Sequence, residues 1–140
     1  MGLAAVVDVV YGYTSEHFPY QYLYNRLGYA KNSVMGQFGG DYFGSGTDFH
    51  RQFTRDFFDT VNRHWLSVYH ADGFRYDCVP NYWGGATGIG YARLVYDTHQ
   101  FVAGQVADPA AAATWQRFAG DRLIQCAEQL EDPVGVLYQA

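Results

Sequence analysis

Hydrophobic and polar positions alternate between two periods along this chain. Leu3 to Tyr11 (LAAVVDVVY) is a near-continuous β-branched run, the pattern of a parallel strand buried on both faces. Asp8 interrupts it and needs a partner there. Between Gly12 and Gly46 no period is sustained, and the stretch is rich in Gly, Tyr, Phe and Asn. That predicts a long loop or a small inserted subdomain, and connections of this length usually serve function. Thr47-Asp48 then offers an N-cap, and Phe49, Phe53, Phe57, Val61, Trp65 and Tyr69 recur every four residues. This predicts an amphipathic helix laying one aromatic stripe on a sheet. Asp59 and Arg63 lie four apart on it, an exposed pair worth about 0.2–0.5 kcal/mol.

A short apolar strand comes next, Gly73-Phe74-Arg75-Tyr76-Asp77-Cys78-Val79. Side chains on a strand alternate with period two, so Arg75 and Asp77 share a face. Helical pattern before it and a Gly-rich stretch after it put Asp77 at the strand's C-terminal end. Parallel α/β proteins carry their reactive groups there. A structural ion pair closing the strand is the plainer reading of the same spacing. Arg75 is also the natural partner for Asp8 if the two strands lie side by side.

Beyond Cys78 the stretch NYWGGATGIG reads as loop. Tyr91 to Gln105 reads as a helix with Leu94, Val95, Thr98, Phe101 and Val102 on one side. Asp108-Pro109 opens another through Phe118, with Gly120 as its stop. Arg122 to Ala127 is a third short strand ending at Glu128, and Asp132-Pro133 breaks any regular element beyond it. The layout is strand, helix, strand, helix, strand. That is an α/β chain of parallel strands joined by right-handed crossovers. Three carboxylates occupy comparable stations: Asp8, Asp77 and Glu128.

Composition narrows the function classes. With 49% hydrophobic residues and a net charge of -5, the chain is globular, and it lacks the basic stripe of a nucleic-acid binder. No apolar run is long enough to span a membrane, and no signal peptide opens the sequence. Localisation stays open, with a cytoplasmic place slightly favoured. Cys78 and Cys126 make no disulfide framework and no zinc spacing, and read as small core residues. His17, His50, His64, His70 and His99 have no metal spacing either. The glycines from Gly84 to Gly90 mimic a phosphate loop but lack the following Gly-Lys-Ser/Thr. Tyr82 and Trp83, just after the second strand, suit a sugar-stacking platform or ordinary packing.

Three segments, VVDVVY (Val6 to Tyr11), GFRYD (Gly73 to Asp77) and LIQCAEQL (Leu123 to Leu130), resemble in order the third-, fourth- and fifth-strand signatures of the α-amylase superfamily, glycoside hydrolase family 13. The resemblance implies a partial (β/α)8 TIM barrel over 1–140, about strands three to five with their helices. Residues 12–46 then stand where that family inserts its small extra domain. It implies Asp77 as nucleophile, Glu128 as general acid/base and Arg75 as the cation keeping Asp77 ionised. Asp8, Tyr13, Tyr82 and Trp83 become candidate substrate-binding residues, and an α-glucan or oligosaccharide the partner. No cofactor or metal is implied. The family's Asn-His after the third-strand aspartate is replaced by Gly12 and Tyr13, so no calcium is expected at Gly12. Its seventh-strand carboxylate has no counterpart. A closed barrel takes about 250 residues, so the chain is expected to be a fragment, inactive alone, with Met1 an internal start. Two other functions compete. One is a non-catalytic amylase-like binding or transporter-associated protein. The other is a doubly wound signalling domain with Asp8 as phosphoacceptor. That chemistry wants a lysine at a later strand end, and the only lysine, Lys31, lies in the long loop.

Overall fold

Three short parallel strands form the centre of the molecule, in a computed structural model that describes residues 2–15, 17–28, 45–82 and 89–129. In chain order the elements are β1 (Val6–Val9), β2 (Tyr13–Thr14), α1 (Pro19–Arg26), β3 (Ser45–Gly46), α2 (Gln52–Ser67), β4 (Gly73–Tyr76), α3 (Tyr91–Ala107), α4 (Ala112–Trp115) and β5 (Ile124–Ala127). The main sheet has the order β1-β4-β5, all parallel. The chain is therefore mixed α/β, with a small parallel sheet and four described α-helices; the alternation of periods predicts the parallel strands and the helices between them, while α1 lies in the stretch read as a long loop or small subdomain.

Register determines which side chains meet. Val7, Phe74 and Gln125 share one row, and Val9, Tyr76 and Ala127 another. These rows face the helices, and Val9, Phe74 and Tyr76 join Phe58 and Leu66 of α2 and Leu94 and Val102 of α3 in the core. The alternate rows, Val6–Gly73–Ile124 and Asp8–Arg75–Cys126, point the other way. A Cβ at Gly73 would collide with the Ile124 carbonyl, so glycine lets β4 and β5 approach here. No described helix covers this second face: Val6 is 41% exposed and Val10 55%. The expectation that the first strand is buried on both faces is thus corrected. It is also shorter than the apolar run, four residues rather than nine.

The helix after the long connection begins at Gln52 and not after Asp48. Asp48 instead turns the chain ahead of it, accepting the His50 N–H at 2.8 Å. Thr47 closes the excursion: its hydroxyl donates to the Tyr11 carbonyl at 2.5 Å and its N–H to the Gly12 carbonyl. β2 and β3 pair antiparallel beside it, so the excursion leaves and returns at one place. Within it Pro19 starts α1 at a position that suits its fixed φ. Residues 29–44 lie outside the described part.

The buried row of α2 is Thr54, Phe58, Asn62 and Leu66, and not the aromatic stripe. Residues four apart drift about 40° per step on a 3.6-residue helix, so six of them sweep about 200° and cannot share a face. Phe57, Val61 and Trp65 flank the core, Phe53 is partly exposed, and Tyr69 lies past the helix end and is exposed. In α3, Leu94, Thr98 and Val102 are buried, with Val95 and Phe101 beside them, as expected. The Asp108-Pro109 segment gives a shorter helix than predicted, α4, and then a 3-10 turn at Gln116–Phe118. Gly120, with φ +73°, ends it.

Candidate active site

Arg75 sits in the middle strand, flanked in register by Asp8 on β1 and Cys126 on β5. Asp77 and Glu128 each stand just past their strand. The ladder continues that far through Asp77 N–H to Val9 O (2.9 Å) and Glu128 N–H to Tyr76 O (2.9 Å). All four polar side chains belong to the face away from the helices, at the C-terminal edge. The Arg75 Nη1 donates to Asp8 Oδ1 and to Asp77 Oδ1, both at 2.7 Å. Its Nη2 pairs with Glu128 Oε1. One guanidinium therefore holds three carboxylates from three adjacent strands. A planar fork can do this, a point-like ammonium less well. Sharing that fork seats Asp77 Oδ1 and Glu128 Oε1 on the two terminal nitrogens of one guanidinium.

The cluster is short of positive charge: three carboxylates face one cation, formally -2 if all are ionised. Arg75 is held charged, its pKa raised chiefly by the hydrogen bond to Asp8, with Asp77 and Glu128 adding and desolvation opposing. It can orient and neutralise, but it cannot exchange a proton. The site is also wet, with Asp8 68% exposed and the other three about a third. Exposed ion pairs contribute little to stability, so folding energy does not explain gathering three acids here.

Local backbone shapes the rim. Cys78, next after Asp77, has φ +43°, an unfavourable conformation for a residue with a Cβ. The turn aims the Cys78 N–H at Glu128 Oε2, at 3.1 Å. Glu128 is thus held by two donors. Its arginine partner lies one strand away, where sequence adjacency does not report it.

Asp8 lies in the cluster, as its interruption of the first run suggests. Tyr13 and Tyr82 do not open toward it. Tyr13 is buried, its hydroxyl bonded to Asn81 Nδ2 and 3.7 Å from Cys78 Sγ. It braces the turn just beyond Asp77. Tyr82 is 4% exposed and stacks on Phe49 at 5.1 Å. Packing claims its ring, and burial pushes its phenol pKa up. Trp83 lies outside the described residues, as does most of the glycine-rich stretch. Cys78 is buried, as its composition suggests, whereas Cys126 is exposed on the open face.

Sequence reasoning missed the polar network beneath the site. Asn62, 0% exposed, accepts from Tyr11 OH at 2.7 Å and donates to Tyr76 OH at 3.0 Å and Thr98 Oγ1 at 2.9 Å. Tyr76 OH donates on to Gln125 Oε1 at 2.9 Å. The available signal was a lone amide in the row Thr54, Phe58, Asn62, Leu66. A cavity of about 290 Å³ lies elsewhere, between α3 and the approach to β5, lined by His99, Val102, Val106, Phe118 and Leu123. It includes none of the clustered acids.

No protein family, no curated protein and no solved structure matches this chain.

Proposed function

We propose that this chain is the strand-three-to-five segment of a (β/α)8 barrel in a retaining α-glycosidase or transglycosidase of the α-amylase type, acting on α-linked glucans or oligosaccharides. The observation that carries the reading is the Arg75 fork joining Asp8, Asp77 and Glu128 at the C-terminal ends of three adjacent parallel strands. Barrel enzymes keep their chemistry at that end. The one-sided covering of the sheet supports it as well. In a barrel, helices line the outside and the opposite face looks inward, which accounts for a face bearing both valines and charges. The family resemblance itself rests on the three sequence segments.

The chemistry comes from the pairing. Arg75 holds Asp77 Oδ1 and leaves Oδ2 to attack the anomeric carbon. As that C–O bond forms, the glycosidic C–O bond breaks and the leaving oxygen takes a proton from the Glu128 carboxyl. Glu128 then removes a proton from water, or from an acceptor sugar hydroxyl, whose oxygen displaces Asp77 from the sugar. Arg75 and the Cys78 N–H both favour the ionised Glu128, so weakening either contact helps it carry the proton. Substrate entering the cluster supplies the competing hydrogen bonds. The three described parallel strands make only an arc of the proposed barrel, so the 140-residue chain by itself is expected to show no turnover. A binding or transporter-associated relative without catalysis is the second reading, favoured by a buried Tyr13 where the family places a sugar-contacting histidine.

The test uses the full-length protein containing this chain and an aryl α-glucoside, with proton NMR of the first sugar released. Release of the α-anomer supports the proposal. Release of the β-anomer contradicts retention, and oligosaccharide binding without turnover supports the second reading.

A further inference from the structure

We infer that Asn62 is a positioning residue for the Arg75 cluster, setting the relative placement of Asp8, Asp77 and Glu128 from the opposite side of the sheet. Its catalytic consequence rests on the function proposed above; the positioning itself does not.

Asn62 works through tethers. It lies mid-helix on α2 and is fully buried. Both of its amide hydrogens and its carbonyl oxygen are engaged. Through Tyr11 it reaches the chain three residues past Asp8. Through Tyr76 it grips β4 between Arg75 and Asp77. Through Tyr76 and Gln125 it reaches β5 three residues before Glu128. The Gln125 Nε2 is fixed in turn by the Val95 carbonyl at 3.1 Å, and Thr98 Oγ1 by Leu94 O at 2.7 Å.

Each tether holds a strand on the helix side, and the neighbouring side chains of that strand project to the other side. A strand that twists or slides at its tether therefore moves its carboxylate against the guanidinium. Ladder hydrogen bonds alone do not fix this. β1 and β5 have only four residues each, and each has one described partner strand. The polar network supplies the missing constraint, and its parts are directional where apolar packing is not.

The test reads geometry, not activity, on the labelled full chain. NMR follows the Arg75 guanidinium resonances and the side-chain carboxyl carbons of Asp8, Asp77 and Glu128. Asn62→Leu is expected to shift all four groups and to speed exchange of the Arg75 guanidinium protons about tenfold or more. Tyr11→Phe should shift Asp8 and leave Glu128 in place; Gln125→Met should do the reverse. Thr98→Val cuts the arm to α3 and also the Thr98 contact on Tyr76, so it should lower stability and leave Asp8 and Glu128 unchanged. If Asn62→Leu does not fold, the Tyr11 and Gln125 variants decide. Strand-specific shifts in those two support the inference. Unmoved carboxylates, or shifts equal in both variants and in Thr98→Val, overturn it. A glycosidase reading that failed on turnover would leave these resonances, and this result, untouched.

Discussion

Arg75 and Asn62 are both hubs, Arg75 joining carboxylates at three strand ends and Asn62 joining Tyr11, Tyr76 and Thr98, and they are built oppositely. Asn62 is fully buried and neutral, and its three hydrogen bonds go to partners that are bonded onward. Arg75 is part-exposed and outnumbered by acids. Nothing about the first arrangement invites chemistry, because every group is already satisfied and remote from water. The second leaves negative charge in excess and open to solvent, a poor way to stabilise a fold and a good way to hold carboxylates ready. Substitutions in the two hubs should therefore fail in different ways.

Asp77→Asn gives the largest effect. Turnover by the full-length protein should fall on the order of 10⁴-fold, because an amide cannot replace the attacking carboxylate. Stability should change by less than about 1 kcal/mol, since Arg75 keeps Asp8 and Glu128 and the pair is part-exposed. Kinetics beside a thermal melt of the same sample measure both. More than a tenth of the activity remaining would make Asp77 structural.

Alkaline pH attacks the buried phenols instead, two of them in the Asn62 hub. Tyr11, Tyr76 and Tyr82 all have raised pKa values, chiefly from burial. Folding keeps their phenols neutral, so their stability contribution is complete below the unfolded tyrosine pKa near 10 and is lost as pH rises above it. Three such groups give a slope of about 4 kcal/mol per pH unit past that point. Urea midpoints between pH 8 and 11 should stay level and then drop steeply. A level midpoint at pH 11 would mean that these phenols ionise freely in the native protein.

Asn62→Ala should cost about 3 kcal/mol, from the side chain's lost hydrogen bonds and the unsatisfied Tyr11 hydroxyl left behind. Chemical denaturation reads it directly. A cost under about 1 kcal/mol would show that water enters and replaces the amide.

Arg75→Gln should be the mildest in the folded state, and its loss should depend on salt. With the cation gone, three part-exposed carboxylates repel, and added salt screens that repulsion. The melting difference from wild type should shrink between about 0.05 M and about 1 M salt. A difference that grew with salt would contradict a carboxylate cluster.

Much of this is legible from residue types at short range. Strand parity places Arg75 and Asp77 together, and a carboxylate interrupting an apolar strand points to Asp8 as their companion. The features that escape the sequence cross between elements. The station of Glu128 at the end of the third strand is legible; that it shares the Arg75 guanidinium depends on the β4–β5 register, which linear spacing does not encode. The buried face of α2 is masked by aromatic size, which draws attention from Thr54 and Asn62; their polarity is compensated only by side chains far along the chain. Tyr82 reads as a sugar platform by residue type and position, and Tyr13 as a sugar contact only through the resemblance. Their burial comes from the turn at Cys78 and from Phe49, both tertiary.

The most direct test is covalent. Asp77 is proposed to form a bond to the sugar, while the carboxyl beside it on the same arginine moves the proton. The full-length protein is incubated with an activated fluoroglycoside, which forms the glycosyl-enzyme readily but releases it slowly. Peptide mass spectrometry then locates the sugar. The predicted result is one glycosyl ester on Asp77, formed in wild type and not in Asp77→Asn. A stable label on Glu128 or Asp8 with Asp77 unmodified, or steady turnover with no ester, would contradict it.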